Sequence, residues 1–378
     1  MRLAIVRQRY TPYGGAERFI ERALAALAAR GVELTIVTRA WPRDAAPGAT
    51  PLIVDPPHLG RTWRQWSFDR GACAALARAP ATLVQSHERI ACCDVFRAGD
   101  GVHAVWLEAK REGAGPFERA ALALSPFHRY LVAAEQRLFA SPRLKAVICI
   151  SKMVQREIHA RFGLPLARLP VIYNAIDGAV FHPGLREHRD EVRARLGIAA
   201  EATVFLLVGS GFERKGVGRA IEALAQLAPP AHLVVVGRDR HAPRFTRLAK
   251  RLGVGPRVSF AGPQQDPKPY YGAADVFVLP TLYDALSNAV LEALACGLPV
   301  ITSDRCGAGE LVAAHDAGTI VGARDVAGLA AAMGALAADP ARRARAGTNA
   351  RAAVASLTPD AMAARLVALY DALLAGRA

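Results

Sequence analysis

Short runs rich in valine, isoleucine and leucine recur along this chain with amphipathic stretches between them, and this alternation constrains its fold more than any other feature. Runs of this kind suit strands buried on both faces, and helix-length intervals suit crossovers between parallel strands. One series begins with "LAIV" at 3–6, continues through a helix from about Ala16 to Arg30, and takes in "ELTIVTRA", "ATLVQS" and "LKAVICIS". A second holds "TVFLLVG" (203–209), "HLVVVG" (232–237), "RVSFAG" (257–262), "DVFVLPT" (275–281), "LPVITS" (298–303) and "GTIVG" (318–322). The expectation is an α/β protein with two Rossmann-like, doubly wound domains and a boundary near "LPVIYNAIDGAVFHPG" at 169–184, where Pro, Gly and Asn cluster. The predicted division is 1–170, 171–360 and a terminal helix over 361–378 that crosses back to the first domain. Open parallel sheets bind ligands beyond the carboxyl ends of their strands, so two such domains facing each other imply a cleft.

Composition narrows the class. Of the 378 residues 52% are hydrophobic and 21% charged, which excludes a disordered chain. No stretch approaches the ~18 apolar residues of a spanning helix. The start "MRLAIVRQRY" has an apolar run of four closed by Arg7. A secretory h-region needs ~7–15. A cytoplasmic protein is therefore expected. The six cysteines (73, 92, 93, 149, 296, 306) lack C-x-x-C pairing and zinc-spaced histidines, so they read as reduced, partly buried thiols and no metal is expected.

A net charge of +15 favours an anionic partner: nucleic acid, an acidic membrane surface or a phosphorylated substrate. Aromatic residues make up only 7%, and the arginines scatter through helical segments such as "ARRARAGTNARAA", which speaks against a stacking platform for single strands. The segment from Gly101 to Lys145 mixes Trp106, Phe117, Leu124 and Phe127 with Lys110, Arg111, Arg119 and Arg129. That pattern reads either as a basic amphipathic face lying on a membrane or as ordinary domain helices with solvated outer sides.

Three loops carry chemistry. "RQRYTPYGGAERF" places Gly14 and Gly15 at a helix start, where backbone amides attract anions, although it lacks dinucleotide-site spacing. "GSGFERKGVGRAIEAL" runs from Gly209 into adjacent Arg214 and Lys215 ahead of a helix start near Gly216, a pattern that suits a pyrophosphate. A helix macrodipole disfavours cations at its N-terminus, so their placement there asks for an anion. In "PTLYDALSNAVLEALACGLPVITSD", Asp284 is expected at a strand tip, Ser287 and Asn288 at a helix cap, and Glu292 one turn inside.

Together "GGAER", "VGSGFERKG", the D-x7-E run before "EALACGLPVIT", and "YNAID" resemble the retaining nucleotide-sugar glycosyltransferases of the two-Rossmann (GT-B) architecture, the large family-four group. The resemblance spans essentially the whole chain and is most specific over about 203–311; within the group, "GSGFERKGVGRAIEAL" is similar to glucosyltransferases of the lipopolysaccharide core. It implies an acceptor-binding first domain and a second domain binding a nucleoside-diphosphate sugar, with UDP-glucose the expected donor and a glycolipid or oligosaccharide the acceptor. Catalytic roles fall to His103, Asp100, Arg214, Lys215 and Asp284, and donor contacts to Gly14, Gly15, Gly209, Arg214, Lys215, Asp284, Leu286, Ser287, Asn288 and Glu292. The family pair is Glu-x7-Glu, and Asp284 takes the first place here. The resemblance further implies no cofactor and no metal; the basic segment 101–145 adds an anionic membrane surface at the inner face of the cell as an expected partner, and the scattered arginines and few aromatics leave no nucleic acid expected. A nucleotide-sugar epimerase would show product without acceptor, and a noncatalytic sugar-nucleotide-binding protein on the same scaffold would show none. A nucleic-acid binder would show salt-dependent affinity for DNA or RNA.

Overall fold

The computed structural model describes residues 1–9, 31–41, 49–79 and 81–376. Gly14, Gly15 and the expected helix from Ala16 to Arg30 lie outside the described residues. The chain divides into two compact units, Met1–Ala175 with Pro359–Ala378, and Ile176–Thr358.

The first unit is built on β1 (Arg2–Val6), β2 (Glu33–Thr38), β3 (Ala49–Ile53), β4 (Leu83–Ser86), β5 (Val95–Ala98) and β6 (Ala146–Cys149), in the spatial order β3-β2-β1-β4-β5-β6 with every pairing parallel. The second has β7 (Thr203–Val208), β8 (Ala231–Val236), β9 (Val258–Gly262), β10 (Val276–Leu279), β11 (Val300–Ser303) and β12 (Gly318–Val321), in the order β12-β11-β10-β7-β8-β9. Numbered within its own unit, each sheet reads 3-2-1-4-5-6, the doubly wound dinucleotide-fold order. All six strands of the second unit correspond to the apolar runs of the second series. β3 and β5 of the first unit were not legible as such runs. β3 is an edge strand with Pro51 inside and a mostly exposed face, and β5, "VFRA", carries the buried Arg97.

The helix Pro359–Leu374 is counted in the first unit, where Met362, Leu366 and Tyr370 join Leu3, Ile5, Ile36, Leu83 and Ile148 in one core cluster. Each such side chain contributes roughly 1.5–3 kcal/mol on burial. The Tyr370 hydroxyl, also buried, is satisfied by donating to Gln85 Oε1 at 2.6 Å. The stretch Pro340–Leu374 is long and apolar enough in composition to cross a membrane, contrary to the expectation from apolar runs. It is two helices, Pro340–Val354 and Pro359–Leu374, broken at 355–358 and shared between the two units.

The cysteine expectation also needs correction: Cys73 and Cys92 form a disulfide, while Cys93, Cys149, Cys296 and Cys306 are free and buried. The pair was invisible in sequence because 19 residues separate its members, and only the packing of helix Gly60–Arg78 brings their Cα atoms to 5.8 Å, within bonding reach.

Candidate functional site

In the second unit β7 and β10 are neighbours from which the strand order runs off in opposite directions, and the loops leaving their carboxyl ends form the site. After β7 the chain passes Gly209, turns through the short helix Phe212–Lys215, reverses at Gly216 (φ 83°) and enters helix Val217–Leu224. Gly216 is required twice over: its φ lies in the left-handed region, and a Cβ there would stand 2.1 Å from the Pro280 carbonyl oxygen. The two loops are stitched together, with the Arg214 carbonyl accepting from Leu282 N–H at 2.8 Å and from the Thr281 hydroxyl at 3.0 Å. Asp239 fixes the turn's other end by accepting the Phe212 N–H at 2.6 Å.

The Lys215 side chain runs past Gly209, where a Cβ would lie 3.0 Å from its Cε, and its Nζ donates to Asp284 Oδ2 at 2.5 Å. Arg214 Nη1 stands 3.7 Å from the same oxygen and donates to the Tyr283 carbonyl at 3.2 Å. The cations differ in exposure: the Lys215 side chain is 11% exposed and that of Arg214 41%. Asp284 lies five residues beyond the end of β10 rather than at a strand tip, held by its own backbone N–H donating to Arg305 O at 2.9 Å and its carbonyl accepting from Gly307 N–H at 2.8 Å. A carboxylate on a fixed backbone thus meets two cations. Arg214 and Lys215 close the four-residue helix Phe212–Lys215 and, as expected, stand just ahead of helix Val217–Leu224, which has Gly216 in its N-cap position. The anion they face there is the Asp284 carboxylate.

Helix Asn288–Ala295 follows with Ser287 in the N-cap position. Ser287 does not cap: its Oγ is buried and makes no hydrogen bond. A buried hydroxyl left open in this way is suited to a ligand. Leu286 is buried beside it, and Asn288 begins the helix. Glu292 is buried, with Oε2 accepting from the Tyr271 hydroxyl at 2.7 Å. Tyr271 and Thr281 were missed in the sequence, and nothing in their spacing could have shown them.

His103 and Asp100 belong to the first unit. His103 opens helix His103–Glu112, whose first amides are satisfied by Glu135: His103 N–H donates to Oε1 at 2.6 Å and Ala104 N–H to Oε2 at 3.3 Å. Arg89 Nε holds that carboxylate at 2.9 Å. The ring of His103 stacks on Trp106 with centroids 5.3 Å apart, and its Nε2 lies 3.1 Å from His128 Nδ1. Burial, with the charges of Arg89 and His128 adding to it, pushes the imidazole down to about 3, so it is neutral at pH 7. Asp100 is exposed and acts on His103 only through its charge. His128, not Asp100, is its ring partner. No group of three His, Cys, Asp or Glu among the described residues could hold a metal ion.

With the geometry in view, the chain compares with known proteins as follows. Residues 13–179 match the Glycosyltransferase Family 4 model and residues 188–353 the Glycosyl transferases group 1 model. The lipopolysaccharide glucosyltransferase WaaG of Escherichia coli (strain K12) is 29% identical over 328 residues, 84% of each chain. The lipopolysaccharide core biosynthesis glycosyltransferase LpsE of Rhizobium meliloti (strain 1021) is 40% identical over 111 residues, 29% of this chain and 32% of its own. The crystal structure of WaaG, a glycosyltransferase involved in lipopolysaccharide biosynthesis, superimposes with a TM-score of 0.83 at 25% identity, covering 97% of this chain and 99% of that one. Anabaena HepE, crystallised with UDP and glucose, shares the fold with a TM-score of 0.74 at 19% identity, over 98% of this chain and 100% of its own. The two matches, one to each half of the chain, and the two parallel six-stranded sheets lead to one family: the chain belongs to the two-domain glycosyltransferases of the GT-B architecture.

Proposed function

We propose that this protein is a retaining, metal-independent hexosyltransferase that moves glucose from UDP-glucose to a lipopolysaccharide-core acceptor at the cytoplasmic face of the cell membrane. The observation that carries the reading is the meeting of Lys215 and Arg214 on the Asp284 carboxylate at the β7/β10 switch point. Cleavage of an anomeric bond builds negative charge on the departing diphosphate, and two fixed cations stabilise it there. When the diphosphate takes up those cations, Asp284 is released to accept hydroxyls of the hexose. Gly209, Leu286, Ser287, Asn288 and Glu292 complete the donor set, with the open Ser287 hydroxyl and the Glu292 carboxylate the polar members. Gly14 and Gly15 join it by family resemblance alone.

Retention follows from attack on the face the diphosphate leaves, and neutral His103 is assigned to the reacting sugar by family resemblance alone. Asp100 is assigned to the acceptor hydroxyl. With the positive charge supplied by side chains, the reaction needs no divalent ion and no cofactor. The relatives named for lipopolysaccharide assembly support the acceptor class, and the name glucosyltransferase supports the hexose. The basic helices His103–Glu112, Pro116–Leu124 and Pro126–Phe139, with Phe117 93% and Leu124 71% exposed, support docking on an anionic membrane. The test is to incubate the protein with a panel of nucleotide sugars in a chelator and follow nucleoside diphosphate release with and without core acceptor. Acceptor-dependent release from UDP-glucose is expected. Product without acceptor would point to epimerisation or hydrolysis, and a requirement for added divalent metal would overturn the metal-independent mechanism.

A further inference from the structure

The first unit contains a cavity of about 600 Å³ that the donor contacts do not use. It is walled by helix Gly60–Arg78, helix Pro126–Phe139 and residues 89–91, which follow β4. The strand order of this sheet diverges between β1 and β4, so residues 89–91 leave the sheet at its switch point, where open parallel sheets receive ligands. The volume is that of a small-molecule site, for which about 300–1,000 Å³ is usual.

Six lining residues set the chemistry: Arg70, Arg89, Arg137, Trp66, Tyr130 and Asp69. Arg89 is committed to Glu135 at 2.9 Å. Asp69 accepts from Tyr130 and, at 3.0 Å, from Gln65 Nε2. Burial raises its carboxyl to about 7, which weakens the one negative charge lining the cavity. The other two guanidiniums lie over rings, Arg70 over Trp66 at 5.1 Å and Arg137 over Tyr130 at 5.7 Å. Arg137 gives one N–H to the Tyr130 side chain, and its remaining in-plane N–H groups, with those of Arg70, are open to an oxyanion. Trp66, 42% exposed, offers an apolar face to the carbon side of a sugar ring. The Cys73–Cys92 disulfide joins the wall carrying Trp66 and Arg70 to the loop carrying Arg89, which holds the cavity open in advance of a ligand.

We propose that this cavity binds a sugar unit bearing an anionic group, with Arg70 and Arg137 on the anion and Trp66 against the ring. Resting on the transferase reading above, that unit belongs to the acceptor. The test is isothermal titration of the intact protein with a hexose 6-phosphate, a hexuronic acid and the uncharged hexose. At least one anionic sugar binds, about tenfold or more tighter than the neutral one, and the stronger of the two identifies the anion as phosphate or carboxylate. Arg70→Ala and Arg137→Ala each weaken that binding about tenfold, the effect of losing one charge-assisted hydrogen bond. Binding of UDP, measured in the same variants, is unchanged. The proposal is overturned if both anionic sugars bind no better than the hexose, or if the variant lacking both arginines binds them as the wild type does. Loss of UDP binding by the wild-type protein would sink the donor assignment and leave this one standing.

Discussion

Lys215 and Asp284 stand 69 residues apart and 2.5 Å from each other, and the donor chemistry assigned here rests on that pair. Lys215→Ala lowers turnover with UDP-glucose by on the order of 10²-fold or more, as removal of a fixed charge facing developing charge does. Arg214→Ala, at a more exposed position, acts in the same direction. The Lys215→Ala/Asp284→Ala double variant loses less than the product of the single losses, because each single change strips the other group of its partner. Additive losses in steady-state kinetics would show that the pair does not act as a unit. Asp284→Glu is poorly tolerated, since the longer side chain meets Lys215 on a backbone pinned on both sides by Arg305 and Gly307. The placement of the two cations just ahead of helix Val217–Leu224 was legible in the sequence. Their carboxylate partner on the neighbouring strand's loop was not, since no local spacing encodes that contact.

At the level of elements, the cysteines give a direct check. Under native, oxidised conditions no thiol is accessible to alkylation, because the four free cysteines are buried and the other two are joined. After mild reduction two residues, Cys73 and Cys92, become reactive first, as mass spectrometry of the alkylated protein would show. Rapid labelling of all six without reduction contradicts the pairing. The three helices between His103 and Phe139 lead to a second expectation: sedimentation with anionic vesicles exceeds that with neutral ones, weakens as salt rises, and is reduced by Phe117→Ser and Leu124→Ser. Equal sedimentation with both lipids counts against membrane docking. Elements with a continuous apolar run were legible, as β7 to β12 show. Those whose stability comes from a neighbour were not: β3 is an edge strand containing Pro51, and in β5 the buried Arg97 donates through Nη2 to Asn174, 77 residues away.

Across the whole molecule, burial sets the direction of the acid response. His103 and His232 are pushed down from 6.5 to about 3 and about 4, and His87 well below its usual range, each chiefly by desolvation. The folded protein therefore binds fewer protons than the unfolded chain below pH 6.5, and the stability from these groups is lost as pH falls from there. Asp69, raised from 3.8 to about 7, works the other way: its stabilisation is present at low pH and is lost as pH rises toward 7. His128 is lowered in the same way, and these four histidines against the one raised carboxyl among the described residues give a falling Tm between pH 6.5 and 4.5, measured by calorimetry, which His232→Gln makes shallower. A Tm that rises on acidification contradicts the balance. The central claim concerns chemistry, and the anomeric configuration of the product tests it most directly. Purified protein, α-configured UDP-glucose labelled at C1 and a lipopolysaccharide-core acceptor are incubated in a chelator, and the new linkage is read by NMR. The account predicts transfer of the label to the acceptor in the α configuration, abolished in Lys215→Ala. A β-linked product, or no transfer to any core acceptor while UDP-glucose remains bound, contradicts it.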